Sequence, residues 1–415
     1  MLRVFEAFAG YGSQSIALRN LGIEYKVVAI SEIDKYAIKA YEAIHEPTNN
    51  LGDICKINPS DIPDHDLFTY SFPCQDLSVA GKQAGLGKGT RSGLLYECEK
   101  IIEAKRPKYL LLENVKNLVG KKFKAEFDKW LEYLEGLGYT NYWQVLNAKD
   151  YGVPQNRERV FVVSILGEHE PYEFPKPILL EKCIKDVLED EVDEKYYVSK
   201  DIQDKFRPNK NIKDVGESPV RLGGLFDTDK SKHQAGSVWD TEKISPTLDT
   251  MQGGWRQPCI IDTINVIGKL DCKGWYDIET RVHDTNGIFP TVETRNRAKI
   301  LIPQATKKGY IEMDLPGVCD LSYPNSKTRR GRVQEGGKVS PTLTATSQDI
   351  CYIEPSYKIR KLTPRECFRL MGMKDDDIDK IQATGISNTQ QYKMAGNSIV
   401  VNVLEAIFKN LFMEG

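Results

Sequence analysis

Four side chains in the first half of the chain have the types and spacing for chemistry at the edge of a sheet. They are the thiol of Cys74, the carboxylate of Glu113 and the guanidinium groups of Arg157 and Arg159. Cys74 sits in Ser71-Phe-Pro-Cys-Gln-Asp-Leu-Ser78, directly after an apolar run, residues 66–70, that reads as a short strand. Phe72 and Pro73 end that strand, because proline cannot donate to a sheet ladder. A thiol at a strand end suits covalent chemistry, since its thiolate is a strong nucleophile. Taken alone, though, a free cysteine is more often a small buried apolar residue. Glu113 ends the buried run Tyr109-Leu-Leu-Leu112, where a carboxylate is costly unless it has a partner or a task. Arg157 and Arg159 stand two apart before the apolar run Val160–Val163. Alternate strand residues share a face, so both can point one way, or they form a solvated pair before an edge strand.

The elements that must position these groups follow an α/β rhythm. Residues 2–9 read as a strand, Gly10-Tyr-Gly-Ser13 as a tight turn and residues 14–21 as a helix. That unit opens a nucleotide-binding α/β fold or is an ordinary turn. A second strand, Lys26–Ile30, leads to Ser31-Glu32-Ile33-Asp34. An acid there can bond ribose hydroxyls, or the stretch is a helix cap. Asp53, after a third short segment, offers a further acidic group. Helices over 94–105 and 122–138 alternate with strands at 109–112, 143–147 and 160–163. The expectation is a mainly parallel sheet with helices on both faces.

Composition narrows the class. The 415 residues carry a net charge of −2, so any nucleic-acid contact must come from local basic patches. Nine cysteines without a Cys-x-x-Cys spacing, and five scattered histidines, give no metal-ligand pattern, and no metal is expected. Unpaired thiols fit a reducing compartment. With no signal peptide and no long apolar run, a cytoplasmic protein without a membrane partner is expected.

The ordered motifs resemble those of the DNA (cytosine-5)-methyltransferases of bacterial and phage restriction-modification systems. Phe8-Ala-Gly-Tyr-Gly12, Glu32, Asp53, Phe72-Pro-Cys-Gln75, Glu113-Asn-Val115, Gln155-Asn-Arg-Glu-Arg159, Arg360-Lys-Leu-Thr-Pro-Arg-Glu-Cys367 and Ala395-Gly-Asn-Ser-Ile399 occur in the family's order. Ser13 stands where a second glycine is common. The resemblance implies a Rossmann-like α/β methyltransferase fold with a smaller β-rich target-recognition domain. It also implies S-adenosyl-L-methionine as cofactor and double-stranded DNA as substrate. Cys74 would add to carbon 6 of cytosine, Glu113 would meet ring N3 and the amine, Arg159 would hold the ring carbonyl, and Arg157 would support the pocket or a phosphate. Phe8 would lie on the adenine, Glu32 would take the ribose, and Asp53 would take the adenine amine. Gly10 and Gly12 would close on the methionine end, with Asn397 nearby. Gln75, Ser78, Lys82 and Arg91, in and after the Cys74 motif, would contact DNA as a flap closes over the flipped base. An enzyme that flips a base from one strand at a time can act as a monomer, and a restriction endonuclease acting on the same site, without a stable complex, is the partner the resemblance leaves open. A tRNA-modifying enzyme, a catalytically silent DNA-binding regulator and an unrelated nucleotide-binding oxidoreductase are the competing readings.

The divisions expected are a catalytic domain over 1–169, a target-recognition domain over 170–356, a hinge over 357–391 and a returning C-terminal helix within 392–415. The recognition segment repeats a pattern. Val238, Val282 and Val333 each lie nine residues before a threonine in Ser245-Pro-Thr-Leu248, Phe289-Pro-Thr-Val292 and Ser340-Pro-Thr-Leu343. Each copy ends in an apolar run, which suggests three β-hairpin-like units. In the family a Thr-Leu pair marks the recognition region. Thr342 is the candidate DNA contact, because its copy is nearest the Arg360 motif.

Overall fold

The computed structural model describes residues 1–72, 94–209, 218–228, 231–251, 253–262, 266–269, 281–283, 299–303, 310–314, 317–320, 332–334, 350–353 and 358–413. Cys74, Gln75, Ser78, Lys82, Arg91 and Thr342 lie outside the described residues.

The first half builds a six-stranded sheet from β1 (Leu2–Ala7), β2 (Tyr25–Ser31), β3 (Leu67–Tyr70), β4 (Tyr109–Val115), β5 (Tyr139–Asn147) and β6 (Glu158–Leu166), in the order β2-β1-β3-β4-β6-β5. Five strands run one way, and β6 runs against both its neighbours. Helices α1 (Ser13–Asn20), α2 (Lys35–Ile44), α3 (Leu95–Lys105) and α4 (Lys124–Gly136) connect them. Adjacent strand residues feed opposite faces, as the period of two demands. Val4, Leu67 and Leu111 join one core, while Phe5, Phe68, Leu110 and Leu112 join the other. Sheet and helices thus form the expected mainly parallel α/β layers, as the continuous apolar runs require. The β5 strand is longer than its apolar end suggests. It is an edge strand, so its exposed residues, such as Thr140, Trp143 and Gln144, need no partner layer.

A second sheet joins β7 (Arg207–Pro208), which follows the short α5 (Lys200–Gln203), to β8 (Arg221–Gly224), β9 (Ser237–Trp239) and β10 (Cys259–Asp262). Three separate antiparallel pairs come next. They are β11 (Val266–Lys269) with β12 (Arg281–His283), β13 (Lys299–Pro303) with β14 (Tyr310–Asp314), and β15 (Gly317–Asp320) with β16 (Ile350–Ile353). Finally β17 (Lys358–Lys361) returns to the second sheet beside β10.

This corrects the hairpin reading of the repeats. The strands of the first copy, β9 and β10, pair in parallel. A parallel pair needs a crossover rather than a tight turn, and the crossover here is the Ser245-Pro-Thr-Leu248 segment, which leaves the sheet to meet residues 154–157. In the second copy β12 and β13 belong to different pairs, and in the third β16 pairs with β15.

The chain closes with α6 (Pro364–Arg369), α7 (Asp375–Ala383), α8 (Asn388–Asn397) and α9 (Val401–Phe412). Thr363 and Glu366 form the capping box that their spacing suggests, with Pro364 at the first helical position. The α9 helix packs on α1, and Asn20 Nδ2 donates to Glu405 at 2.7 Å. Among the described residues no helix is long and apolar enough to cross a membrane.

Candidate active site

The parallel strands β1, β2, β3 and β4 all end at one edge of the first sheet, and the antiparallel β6 begins there. Every described candidate from the first half of the chain lies at or just beyond that edge. Open α/β sheets place ligands at this carboxyl edge.

At the β1–β2 end, three loop segments are bonded together. Phe8 N donates to the Ser31 carbonyl at 2.8 Å, and Ser31 Oγ donates to the Gly52 carbonyl at 2.7 Å. Asn50 Oδ1 accepts from Glu32 N at 3.1 Å and from Gly52 N at 3.0 Å. Phe8 is half-buried with φ 55, an uncommon value for a side chain of its size. The Glu32 carboxylate is fixed by three backbone donors, Gly10 N at 2.9 Å and Ile33 and Asp34 N at 2.8 Å each. Gly10 has φ 59, and a Cβ there would meet nothing within 4 Å, so the space above the turn is open. At Gly12, φ 82, a Cβ would lie 2.4 Å from His45 Nε2. That ring nitrogen lies 3.0 Å from the Tyr11 carbonyl and must carry the proton to bond it. Burial pulls the His45 imidazole down to about 4, so it is neutral. Asp53 Oδ1 accepts from Cys55 N at 3.1 Å, which leaves its other oxygen near Lys56 at 3.7 Å. A pinned carboxylate, an open glycine turn and a half-buried aromatic ring fit an adenosine group carrying a cationic tail. Their remaining acceptor sites suit ribose hydroxyls and an amine.

At the β4–β6 end, Glu113 is 8% exposed, and Arg159 Nε lies 3.2 Å from its Oε1. The pairing register explains the meeting, since Val115 stands opposite Arg159 and Glu113 opposite Phe161. Burial pushes the Glu113 carboxyl above the usual carboxylate range, while Arg159 and then Arg157 pull it back. The neighbouring Asn114 Nδ2 donates to the Phe72 carbonyl at 3.2 Å and so ties the end of the Cys74 motif's strand to β4. That role was not read from the sequence, although Asn114 stands inside a quoted motif.

Arg159 and Arg157 line one small space with Phe161, as alternate residues can, but Arg157 reaches different partners. Its guanidinium is buried and donates to the carbonyls of Leu248 at 2.9 Å, Gly396 at 3.0 Å and Ser398 at 2.8 Å. A phosphate role is therefore corrected to a backbone strut. Arg157 precedes β6, where its N–H bonds Asn147 Oδ1 at 2.9 Å, and the segments that cover its side chain come from far along the chain. Asn397, exposed at the end of α8, lies between the two C-terminal carbonyls that Arg157 holds. Arg360 is likewise structural. It is buried and bonds both oxygens of Glu366.

Comparison with known proteins agrees with this geometry. A family model described as C-5 cytosine-specific DNA methylase matches residues 2–413. The chain is 36% identical to the type II methyltransferase M2.ScrFI of Lactococcus lactis subsp. cremoris, with 99% of each chain covered. It is 32% identical to the orphan methyltransferase M.Rho11sI of Bacillus phage rho11s, covering 99% of this chain and 97% of that one. Among solved structures, the Entamoeba histolytica methyltransferase EhMeth shares the fold with a TM-score of 0.58 at 15% identity, over 100% and 98% of the two chains. The Schizosaccharomyces pombe Dnmt2 methyltransferase does so with 0.57 at 17% identity, over 100% and 99%. With its motifs, sheet edge and full-length match in agreement, the chain belongs to the C-5 cytosine-specific DNA methylase family.

Proposed function

We propose that this DNA (cytosine-5)-methyltransferase uses S-adenosylmethionine, and that Cys74 attacks a cytosine flipped out of a specific duplex sequence. One observation carries the reading. The Glu113–Arg159 pair and the Phe8–Gly12 turn sit at the same sheet edge with β3 between them, and β3 leads into the Cys74 motif. Strands spaced at about 4.8 Å put the two sites roughly 10 Å apart. Phe72, held by Asn114, precedes Cys74 by two residues, a reach of at most about 7 Å.

Carbon 5 of cytosine is a weak nucleophile. Addition of the Cys74 thiolate at carbon 6 makes the ring an enamine, and carbon 5 can then form a bond to an electrophilic methyl. Glu113, its carboxyl raised by burial, meets N3 and the exocyclic amine, and in its protonated form offsets the charge that develops on N3. Arg159 keeps that carboxyl in place and faces the ring carbonyl. S-adenosylmethionine, when bound, supplies the methyl group and leaves as the neutral thioether. Phe8, Glu32 and Asp53 orient the adenosine, the Gly10–Gly12 backbone faces the methionine end, and Asn397 lies nearby. A base, a role that water can fill, then takes the carbon 5 proton, the freed electron pair re-forms the 5,6 double bond, and the Cys74 thiolate is expelled. Flipping the base costs a few kcal/mol. Gln75, Ser78, Lys82 and Arg91 supply contacts around the extruded nucleotide. Thr342 and the loop after Leu248 face the duplex. The protein acts as a monomer and shares its site with a restriction enzyme without stable association.

Bisulfite sequencing of DNA from a host free of cytosine methylation tests this, with Cys74→Ala as control. One short sequence protected only by the wild-type chain is the expected result, with the variant's activity lost. Normal protection by the variant would remove the covalent mechanism, and methylation of tRNA but not duplex DNA would overturn the substrate.

A further inference from the structure

A single residue of the recognition segment is gripped on both sides by side chains two positions apart. The Leu248 N–H donates to Gln155 Oε1 at 3.3 Å, and the Leu248 carbonyl accepts from Arg157 Nη1 at 2.9 Å. Gln155 is fully buried, and its Nε2 donates to the Leu370 carbonyl at 2.7 Å. The amide thus joins the recognition segment to the end of α6, using its donor and its acceptor together. Backbone bonds reinforce the contact. Ser245 N donates to the Pro154 carbonyl at 2.7 Å, and Asn156 N donates to the Ser245 carbonyl at 2.8 Å. The Thr247 hydroxyl adds a bond to the Asn156 carbonyl. On the far side, a Cβ at Gly396 would stand 1.8 Å from the Asp249 carbonyl oxygen, so only glycine admits this approach.

The chain leaves the grip as a constrained loop. Met251 (φ 47) and Trp255 (φ 61) both adopt the left-handed conformation, which side chains of this size rarely take. Met251 is fully buried, and Asp249 Oδ1 accepts from its N–H at 2.7 Å. The Lys361 ammonium stands 3.9 Å from the centre of the Trp255 ring. Strain of this kind persists only where the surroundings impose it, and it gathers at binding sites. Asp249, Gly253, Gly254 and Arg256 remain exposed on the loop.

We infer that Gln155 is a positioning residue for target choice. Its amide fixes Leu248, from which the loop carrying Asp249, Met251 and Trp255 departs, to the segment that carries Arg159 four residues on, so the loop's seat on DNA and the Glu113–Arg159 pair are set together. This rests on the DNA methyltransferase reading above. Because Gln155 touches neither base nor cofactor, its loss should change discrimination, whereas a merely structural role would slow every cytosine alike.

The test uses the full chain carrying Gln155→Met, which keeps the shape but loses the amide's hydrogen bonds to Leu248, Leu370 and Met371, and S-adenosylmethionine as the probe of folding. Plasmid DNA methylated in vitro is read by bisulfite conversion, and rates are compared at the wild type's preferred sequence and at other cytosines. Cofactor binding should stay within about twofold, while the preferred-to-other ratio falls about tenfold, the scale of an ordinary coupling between sites. Thr247→Val, at an exposed point on the same grip, should lower the ratio by a smaller factor, and it decides the question if Gln155→Met does not fold. An unchanged ratio, whether rates fall evenly or not at all, overturns the inference alone. No methylcytosine from a cofactor-binding wild type overturns the DNA reading and this inference with it.

Discussion

Two glutamate–arginine pairs, in different regions, show how the same chemistry serves two ends. Glu366, between the second sheet and the C-terminal helices, is saturated. Its oxygens accept from Arg360 Nη1 and Nη2 at 2.8 and 2.9 Å, from Thr363 N at 2.8 Å and from Glu189 N at 3.0 Å. Glu113, at the catalytic edge, has one ion-pair partner among the described residues, Arg159 Nε at 3.2 Å. Both carboxylates are buried. The first has spent its acceptor capacity on fixing backbone. Among the described residues the second meets Arg159 alone, which leaves acceptor sites for the base-binding role proposed above. A buried carboxylate costs least when fully bonded, so the proposed role predicts a cost in stability at Glu113.

Removing each carboxylate should therefore do opposite things. Glu113→Gln should cut the methylation rate by about 10²–10⁴-fold, the usual contribution of a positioned acid, with little change in unfolding. Equal losses of activity and stability would make Glu113 a second strut. Glu366→Gln should do the reverse and destabilise the chain by about 3–5 kcal/mol, because it leaves the buried Arg360 guanidinium short of its counter-charge. Denaturant unfolding followed by fluorescence reads this. A loss under about 1 kcal/mol would mean that Asp262, 3.0 Å from Arg360 Nε, holds the arginine alone.

The contrast also explains what the sequence made legible. Local rules found the strand, turn and helix at residues 2–21, the cap at Thr363–Glu366 and the acid at the end of β4, because each depends on neighbours in the chain. They allowed Arg157 a phosphate, whereas its partners lie in residues 248, 396 and 398, and they missed Gln155 and Asn114 for the same reason. The repeat was visible, but its pairing was not. The first and third copies share Ser-Pro-Thr-Leu, so nothing in their residues says that Ser245–Leu248 crosses over to residues 154–157.

Another buried carboxylate has no cation partner among the described residues. Glu6 is fully buried in β1, beneath the glycine turn. Its oxygens accept from Ser15 Oγ at 2.7 Å and from the Tyr41 hydroxyl at 3.0 Å. Burial raises its pKa from the ordinary 4.5 to about 7, against the pull of the Ser15 and Tyr41 hydrogen bonds. Between those values the folded chain holds a proton that the unfolded chain has released, so stability is greatest below pH 4.5 and falls as pH rises through 7. The full span corresponds to roughly 3 kcal/mol. Glu6→Gln keeps the shape and cannot ionise, so it should flatten this part of the stability curve and leave the variant the more stable protein at pH 8. Denaturant midpoints of the two proteins at pH 5 and pH 8 measure it. Parallel curves would mean that Glu6 stays ionised inside the sheet, its two hydroxyl donors having done for it what Arg360 does for Glu366.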